Sequence, residues 1–254
     1  MLPRVFIAAL ALLIGGALLW AITAGSDDQS SSKRITSPLE KQAVRVEKQL
    51  AEDPGDEKLL LATMTAWIGA GSVWFEENGG SDRPIPSTVP EDYRAGLRAW
   101  NRYLRQTGGE ASTDNAEYAG AAFFSLVEIG STDPSEAQAN AAGAARALRI
   151  ACKHERNLLN LSNLASYEYF NGEFAAGDRA AREAAAGLPP PKGKNSFGPG
   201  DAISQLNGYK ERGEKFVARV KRGARALEES GEEELETAIK GYGSAAGING
   251  YEPE

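Results

Sequence analysis

Residues 158–189, LLNLSNLASYEYFNGEFAAGDRAAREAAAGLP, contain the pattern that decides the fold of this chain. Apolar residues recur there at helical spacing from Leu158 to Ala165 and predict a helix that ends at Gly172. A second apolar stripe begins at Phe174 and predicts another helix, which three consecutive prolines stop. Because the connection is only a few residues long, the two helices are expected to form an antiparallel hairpin.

The same helical spacing of apolar residues extends from residue 37 to residue 230, and no run of alternating residues predicts a strand. Ser37-Pro38-Leu39-Glu40 combines an N-cap serine, a proline at the first helical position and a glutamate, and predicts the first helix start. Asp133-Pro134-Ser135-Glu136 predicts another start. Short loops join eight predicted helices, so the sequence predicts an all-α domain of antiparallel hairpins that ends in a long helix.

The quoted stretch resembles the tetratricopeptide repeat. The residues that fall at the spacings of this family are Leu164, Ala165, Gly172, Phe174, Gly177, Ala181, Ala184 and Pro189. Glu168 departs from the pattern, because an aromatic residue is usual there. A second, partial match is Asp53-Pro54 followed by Leu60, Trp67 and Gly71.

The glycines expected to close helices are Gly71, Gly130 and Gly172, and they are 59 and 42 residues apart. A strict tetratricopeptide array has a period of about 34 residues. The resemblance therefore implies a degenerate array, stacked as a short solenoid. A generic antiparallel helical bundle is the alternative.

The resemblance also implies a concave groove that binds a protein or peptide ligand. The family's groove positions fall on Lys58, Leu61, Thr65, Ile68, Leu159, Ser162, Ser166, Tyr169 and Phe170. These residues are mainly apolar or hydroxyl-bearing, which favours an extended or helical ligand with apolar anchors. If Tyr169 and Phe170 face such a groove, replacing both with Ala should weaken binding and leave stability nearly unchanged.

Residues 5–24, VFIAALALLIGGALLWAITA, contain no charge and are long enough to span a bilayer as a helix. This length favours an uncleaved membrane anchor over a cleaved signal peptide, although Ala24-Gly25-Ser26 has the form of a cleavage site. The short N-terminal tail favours a cytoplasmic N-terminus, which would place the repeat domain outside the cytoplasm. Residues 26–36 are rich in serine and charge and predict a flexible linker.

The composition excludes several classes of function. The formal net charge is −7, so no basic footprint for a nucleic acid is present. The single cysteine and the single histidine, Cys152 and His154, rule out a cysteine-rich zinc site and predict no cofactor or metal. Cys152 continues an apolar stripe and is expected in the core, whereas His154 is expected at a solvated helix end.

Two other charged sets have ordinary interpretations. The basic residues of the long helix, Lys210, Arg212, Lys215, Arg219, Lys221, Arg222 and Arg225, are expected to spread around it as solvated charges. The acidic residues after it, Glu228, Glu229, Glu232, Glu233, Glu234 and Glu236, are expected to form a solvated surface.

The predicted organisation is an anchor at 1–25, a linker at 26–36, a tetratricopeptide-like domain at 37–191, a loop at 192–200, a packing helix at 201–230 and an acidic, glycine-rich tail at 231–254. This layout resembles that of bacterial envelope proteins with one N-terminal span followed by such repeats. It implies a membrane-tethered, non-enzymatic scaffold or assembly factor. The alternative is a secreted enzyme that hydrolyses cell-wall glycan through Glu76, Glu77 and Asp82.

Overall fold

A computed structural model describes residues 38–78, 85–129, 133–190 and 198–229, and all the regular structure in these ranges is helical. The all-α prediction is therefore confirmed. The predicted anchor, linker and tail, and the acidic residue Asp82, lie outside the described residues. The helices are α1 (Pro38–Glu52), α2 (Glu57–Asn78), α3 (Thr88–Gln106), α4 (Thr113–Ile129), α5 (Pro134–His154), α6 (Leu158–Asn171), α7 (Phe174–Ala186) and α8 (Pro199–Glu229).

Most helix ends follow from local sequence. The Asp133 carboxylate caps α5 by accepting a hydrogen bond of 2.8 Å from the Ser135 amide, with Pro134 at the first helical position. Gly172 ends α6 with a φ of +84°, and the next amide, Glu173 N, donates to Glu168 O at 2.9 Å. A side chain at residue 172 would be strained, so the predicted end of α6 at this glycine has a clear backbone cause.

Gly71 does not close a helix, contrary to expectation, because α2 continues past it to Asn78. A Cβ atom at Gly71 would lie 3.2 Å from the carbonyl oxygen of Val89 at the start of α3. The glycine thus permits close packing of α3 on α2. The spacing of 59 residues, which was compared with the 34-residue repeat period, was therefore counted from a glycine that does not end a helix.

Each helix packs against the next one along the chain, and the most extensive contacts join α2 to α3, α4 to α5, and α6 to α7. These pairs are three successive hairpins. The long helix α8 packs across α5, α6 and α7. One continuous apolar core runs from Leu50 to Val220 through these layers.

The same contact recurs inside each of the three hairpins, where a glycine of the second helix packs on a side chain of the first. The pairs are Gly96 on Ile68, Gly143 on Phe123 and Gly177 on Tyr169. A Cβ at Gly96 or Gly143 would lie 2.7 Å from its partner side chain, and one at Gly177 would overlap the ring of Tyr169. Only glycine therefore allows the two backbones to approach this closely.

Among the described residues, one helix is long and apolar enough to cross a membrane by length and composition, namely α2 between Glu57 and Glu77. Its residues Leu60, Met64 and Ile68 are buried in the protein core. This arrangement is typical of a core helix, so α2 gives little support for a membrane span.

Gly213 provides the contact that seats α8 on α6. A Cβ atom there would lie 2.7 Å from the backbone carbon and oxygen of Tyr169, and backbone cannot move aside as a flexible side chain can. Gly208 lies in the same helix with nothing within 4 Å of its Cβ position. The two glycines therefore differ in packing and share the same helical environment.

We expect Gly213→Ala to lower the free energy of unfolding by about 1–3 kcal/mol, because overpacking outweighs the gain in helix propensity. Gly208→Ala, the matched control, should raise it by up to about 1 kcal/mol. Urea unfolding followed by circular dichroism measures both. A stabilising Gly213→Ala substitution would contradict the close packing of α8 on α6.

Asp92 is buried where α3 packs on α2, and its Cβ atom lies 3.4 Å from the Cβ position of Gly71. Burial, and then the neighbouring carboxylates of Glu40 and Glu91, raise the pKa of Asp92 from 3.8 to about 7. The folded protein therefore holds this proton more tightly than the unfolded chain does. Stability contributed by the neutral carboxyl is present below pH 4 and is lost as the pH rises through 7.

We expect Asp92→Asn to reduce the fall in unfolding free energy between pH 4 and pH 8 by about 2 kcal/mol, because the amide stays neutral. Urea unfolding at a series of pH values measures this slope. Glu211→Gln, which neutralises an exposed carboxylate on α8, is the control and should leave the slope nearly unchanged. An unchanged slope in Asp92→Asn would show that Asp92 ionises normally in the folded protein.

Candidate functional site

The residues expected to line a groove occupy three different environments. Lys58 is exposed; Leu61, Thr65, Leu159 and Ser162 are half-buried; Ile68, Ser166, Tyr169 and Phe170 are buried. Lys58, Leu61, Thr65 and Ile68 lie on α2, and the other five residues lie on α6. Between these helices lies α4, which packs against α2 and stacks Phe124 on Tyr167 of α6 at 4.5 Å.

Tyr169 and Phe170 do not face solvent, and the expectation that both line an open groove is wrong. Each is only 1% exposed. The Tyr169 hydroxyl donates to Asp178 Oδ1 at 3.0 Å, and the Phe170 ring contacts Phe216 of α8 at 5.4 Å between centroids. The physical reason is α8, which covers this face of α6. Replacing both residues with Ala should therefore cost several kcal/mol of stability.

The described residues form a cleft of about 510 Å³ on another face, between α5, α6 and α7. We call it the charged cleft. Its charged residues are Arg149, Arg156, Glu168, Glu173, Arg179 and Glu183. The cleft therefore has three positive guanidinium groups and three negative carboxylates, and its net charge is zero.

Arg149 of α5 and Glu168 of α6 form a bidentate ion pair in this cleft. Arg149 Nε donates to Glu168 Oε1 and Arg149 Nη2 donates to Glu168 Oε2, both at 2.6 Å. The Glu168 side chain is 3% exposed and that of Arg149 is 49% exposed. Hydrogen bonds to Glu168 raise the pKa of Arg149, so the guanidinium stays charged. Glu168 is the residue that departs from the repeat pattern. Its ion pair with Arg149 explains why a glutamate occupies this buried position.

A second bidentate pair, between Arg156 and Glu183, lies nearer the solvent. Arg156 Nε donates to Glu183 Oε1 at 2.7 Å and Nη2 donates to Oε2 at 2.5 Å. The hydrogen bonds from Arg156 lower the pKa of Glu183 below its ordinary value. Arg179 of α7 is exposed and makes no ion pair within the described part of the chain. Its donors therefore remain available for a ligand.

Guanidinium forks and carboxylates in this arrangement can bind complementary charged side chains of a partner. Sequence reasoning missed the charged cleft because its paired residues are 19 and 27 positions apart. The departure at Glu168 was the one local signal. Within the described ranges, no group of three His, Cys, Asp or Glu residues is placed to hold a metal ion.

The described residues weighed for catalysis lie on two separate helices, with Cys152 and His154 on α5 and Glu76 and Glu77 on α2. Cys152 is buried as expected, and burial raises the pKa of its thiol to about 11. His154 is half exposed, and its Nε2 atom lies 3.8 Å from the Glu110 carboxylate on another element. Glu76 and Glu77 are exposed near the end of α2.

Comparisons with protein-family models, with curated proteins and with solved structures find no match to this chain.

We expect Arg149→Ala to lower the free energy of unfolding by about 2 kcal/mol or more, because Glu168 would keep a buried charge without its partner. Arg156→Ala is the matched control. It removes an equivalent but exposed bidentate pair and should cost about 1 kcal/mol or less. Urea unfolding at low salt measures both variants. Equal losses would show that the burial of Glu168 adds nothing to its pair.

Proposed function

We propose that this protein is a membrane-tethered scaffold that binds another protein through a short, tetratricopeptide-like stack of helical hairpins. The sequence supports the tether through its uncharged segment at 5–24, and the direction of insertion would place the domain outside the cytoplasm. The layout is that expected of an assembly factor in a bacterial cell envelope. The proposal involves no chemical step.

The recurring glycine contact is the observation that carries this proposal. Gly96, Gly143 and Gly177 each seat the second helix of a hairpin on the first. Ala165, at the family's small-residue position, lies directly beneath Gly177, with its carbonyl oxygen 3.1 Å from the glycine Cβ position. A repeated internal contact is the physical basis of a helical solenoid, in which each hairpin packs mainly on its neighbours.

The charged cleft is the surface that best fits a protein partner. Its guanidinium groups lie on two successive hairpins, so a ligand there would contact both α5 and α7. The Arg179 guanidinium has N–H groups that make no ion pair among the described residues. The two bidentate ion pairs hold the side chains that line the cleft in place. A partner segment with charged side chains of both signs would complement this surface.

Site-specific photo-crosslinking of the full chain in its native membrane tests the proposal. A photoreactive residue at position 179 probes the charged cleft, and one at 58 probes the groove residues predicted on α2. One at 211 is the exposed control on α8. We expect one discrete partner band at 179 that is absent at 211. A partner band at 58 alone would move the binding surface to α2.

Two results would overturn the scaffold proposal. One is the absence of any discrete band at 179 and 58 above the control. The other is glycan hydrolysis by the purified full chain that Glu76→Ala and Glu77→Ala abolish, since this would establish the enzymatic alternative.

A further inference from the structure

Four cations share one face of α8. Arg212, Lys215, Arg219 and Arg222 are spaced by three, four and three residues in an unbroken helix, so they lie above one another. We call them the cationic face. The other three basic residues of this helix, Lys210, Lys221 and Arg225, lie on the rest of its circumference, so the seven spread around it. Three residues of the cationic face are exposed, and Arg219 is half-buried.

Three of these four residues lack acidic partners in the described part of the protein, whereas the charge of the fourth, Arg212, interacts with Glu128 of α4. Lys215, Arg219 and Arg222 make no ion pair there, whereas Lys210, on the other side of α8, pairs with Asp178 at 3.0 Å. Arg212 stacks over the Tyr209 ring at 4.1 Å. Arg219 and Arg222 have no acidic residue three or four positions away on the described helix. Arg219 and Arg222 therefore have no charge partner among the described residues.

The chain supplies complementary charge directly after this helix. Glu232, Glu233, Glu234 and Glu236 follow α8, with Ser230-Gly231 between them and the helix end. Serine and glycine are favoured where a chain reverses direction. From residue 222 to the end of α8 is about 10 Å along the axis, and seven extended residues span up to about 25 Å. The four glutamates can therefore reach the cationic face from the same molecule.

We propose that residues 232–236 fold back and dock on the cationic face of α8, pairing their glutamates with Arg219 and Arg222. The contact is electrostatic and shields that face from other anionic partners. It does not depend on the charged cleft, which lies against α5, α6 and α7. The scaffold proposal and this docking can thus fail separately.

Carbodiimide crosslinking of the full chain, followed by peptide mass spectrometry, tests the docking because this reagent joins lysine amines to carboxylates in direct contact. R222K introduces a lysine on the cationic face and keeps the charge of the helix. The adjacent native Lys221 is also exposed, lies about 100° around the helix from position 222 on the side away from that face, and is the internal control. Because the two lysines are neighbours in the sequence, tethering of the glutamates to the helix end favours neither.

We expect crosslinks between position 222 and residues 232–236 to exceed those from Lys221 at least fivefold, in monomeric R222K protein. The wild-type pair Lys215 and Lys221 should show the same preference for the cationic face. The excess should vanish near 1 M salt, where the screening length is about 3 Å. Equal yields from 222 and 221, an excess from 221, or crosslinks confined to dimers would each overturn the proposal.

Discussion

Tyr169 is held between two helices that both approach it at a glycine, and the positions of the last three helices depend on this contact. Gly177 of α7 lies against its ring, and Gly213 of α8 lies against its backbone. The hydroxyl is hydrogen-bonded to Asp178, which Lys210 of α8 also binds. One aromatic residue thus connects α6, α7 and α8 through packing and a short polar network. The charged cleft, whose walls belong to α5, α6 and α7, takes its shape from the same arrangement.

Much of the fold could be predicted because its determinants are local. Asp133 and Gly172 are cap signals that act within a few residues, and the structure places helix boundaries at both. Apolar spacing predicted which helices exist and that Cys152 belongs to the core. Gly71 was misinterpreted because a glycine within a helix and one after it look alike in a sequence. Only the approach of Val89 distinguishes them.

The site could not be predicted in the same way because it depends on contacts between distant positions. The family pattern places Tyr169 and Phe170 toward a groove, and it contains no information on a capping helix such as α8. Phe216, which covers Phe170, is 46 residues further along the chain. Likewise, the ion pair of Arg149 with Glu168 joins two helices and has no sequence spacing of its own. The departure at Glu168 indicated that an unusual interaction occupies the position, without indicating its partner.

The order of packing has a consequence for how the chain reaches its native state. Nearly all extensive contacts between the described helices join helices that are adjacent or next but one along the chain, and only the contact of α8 with α5 spans a longer separation. Chains rich in such short-range contacts fold quickly, because little loop entropy is lost before each contact forms. The hairpins can therefore assemble one after another while the chain is still emerging from the ribosome. The α8-facing side of Tyr169 would stay uncovered until α8 packs on it, so the core is completed only at that step.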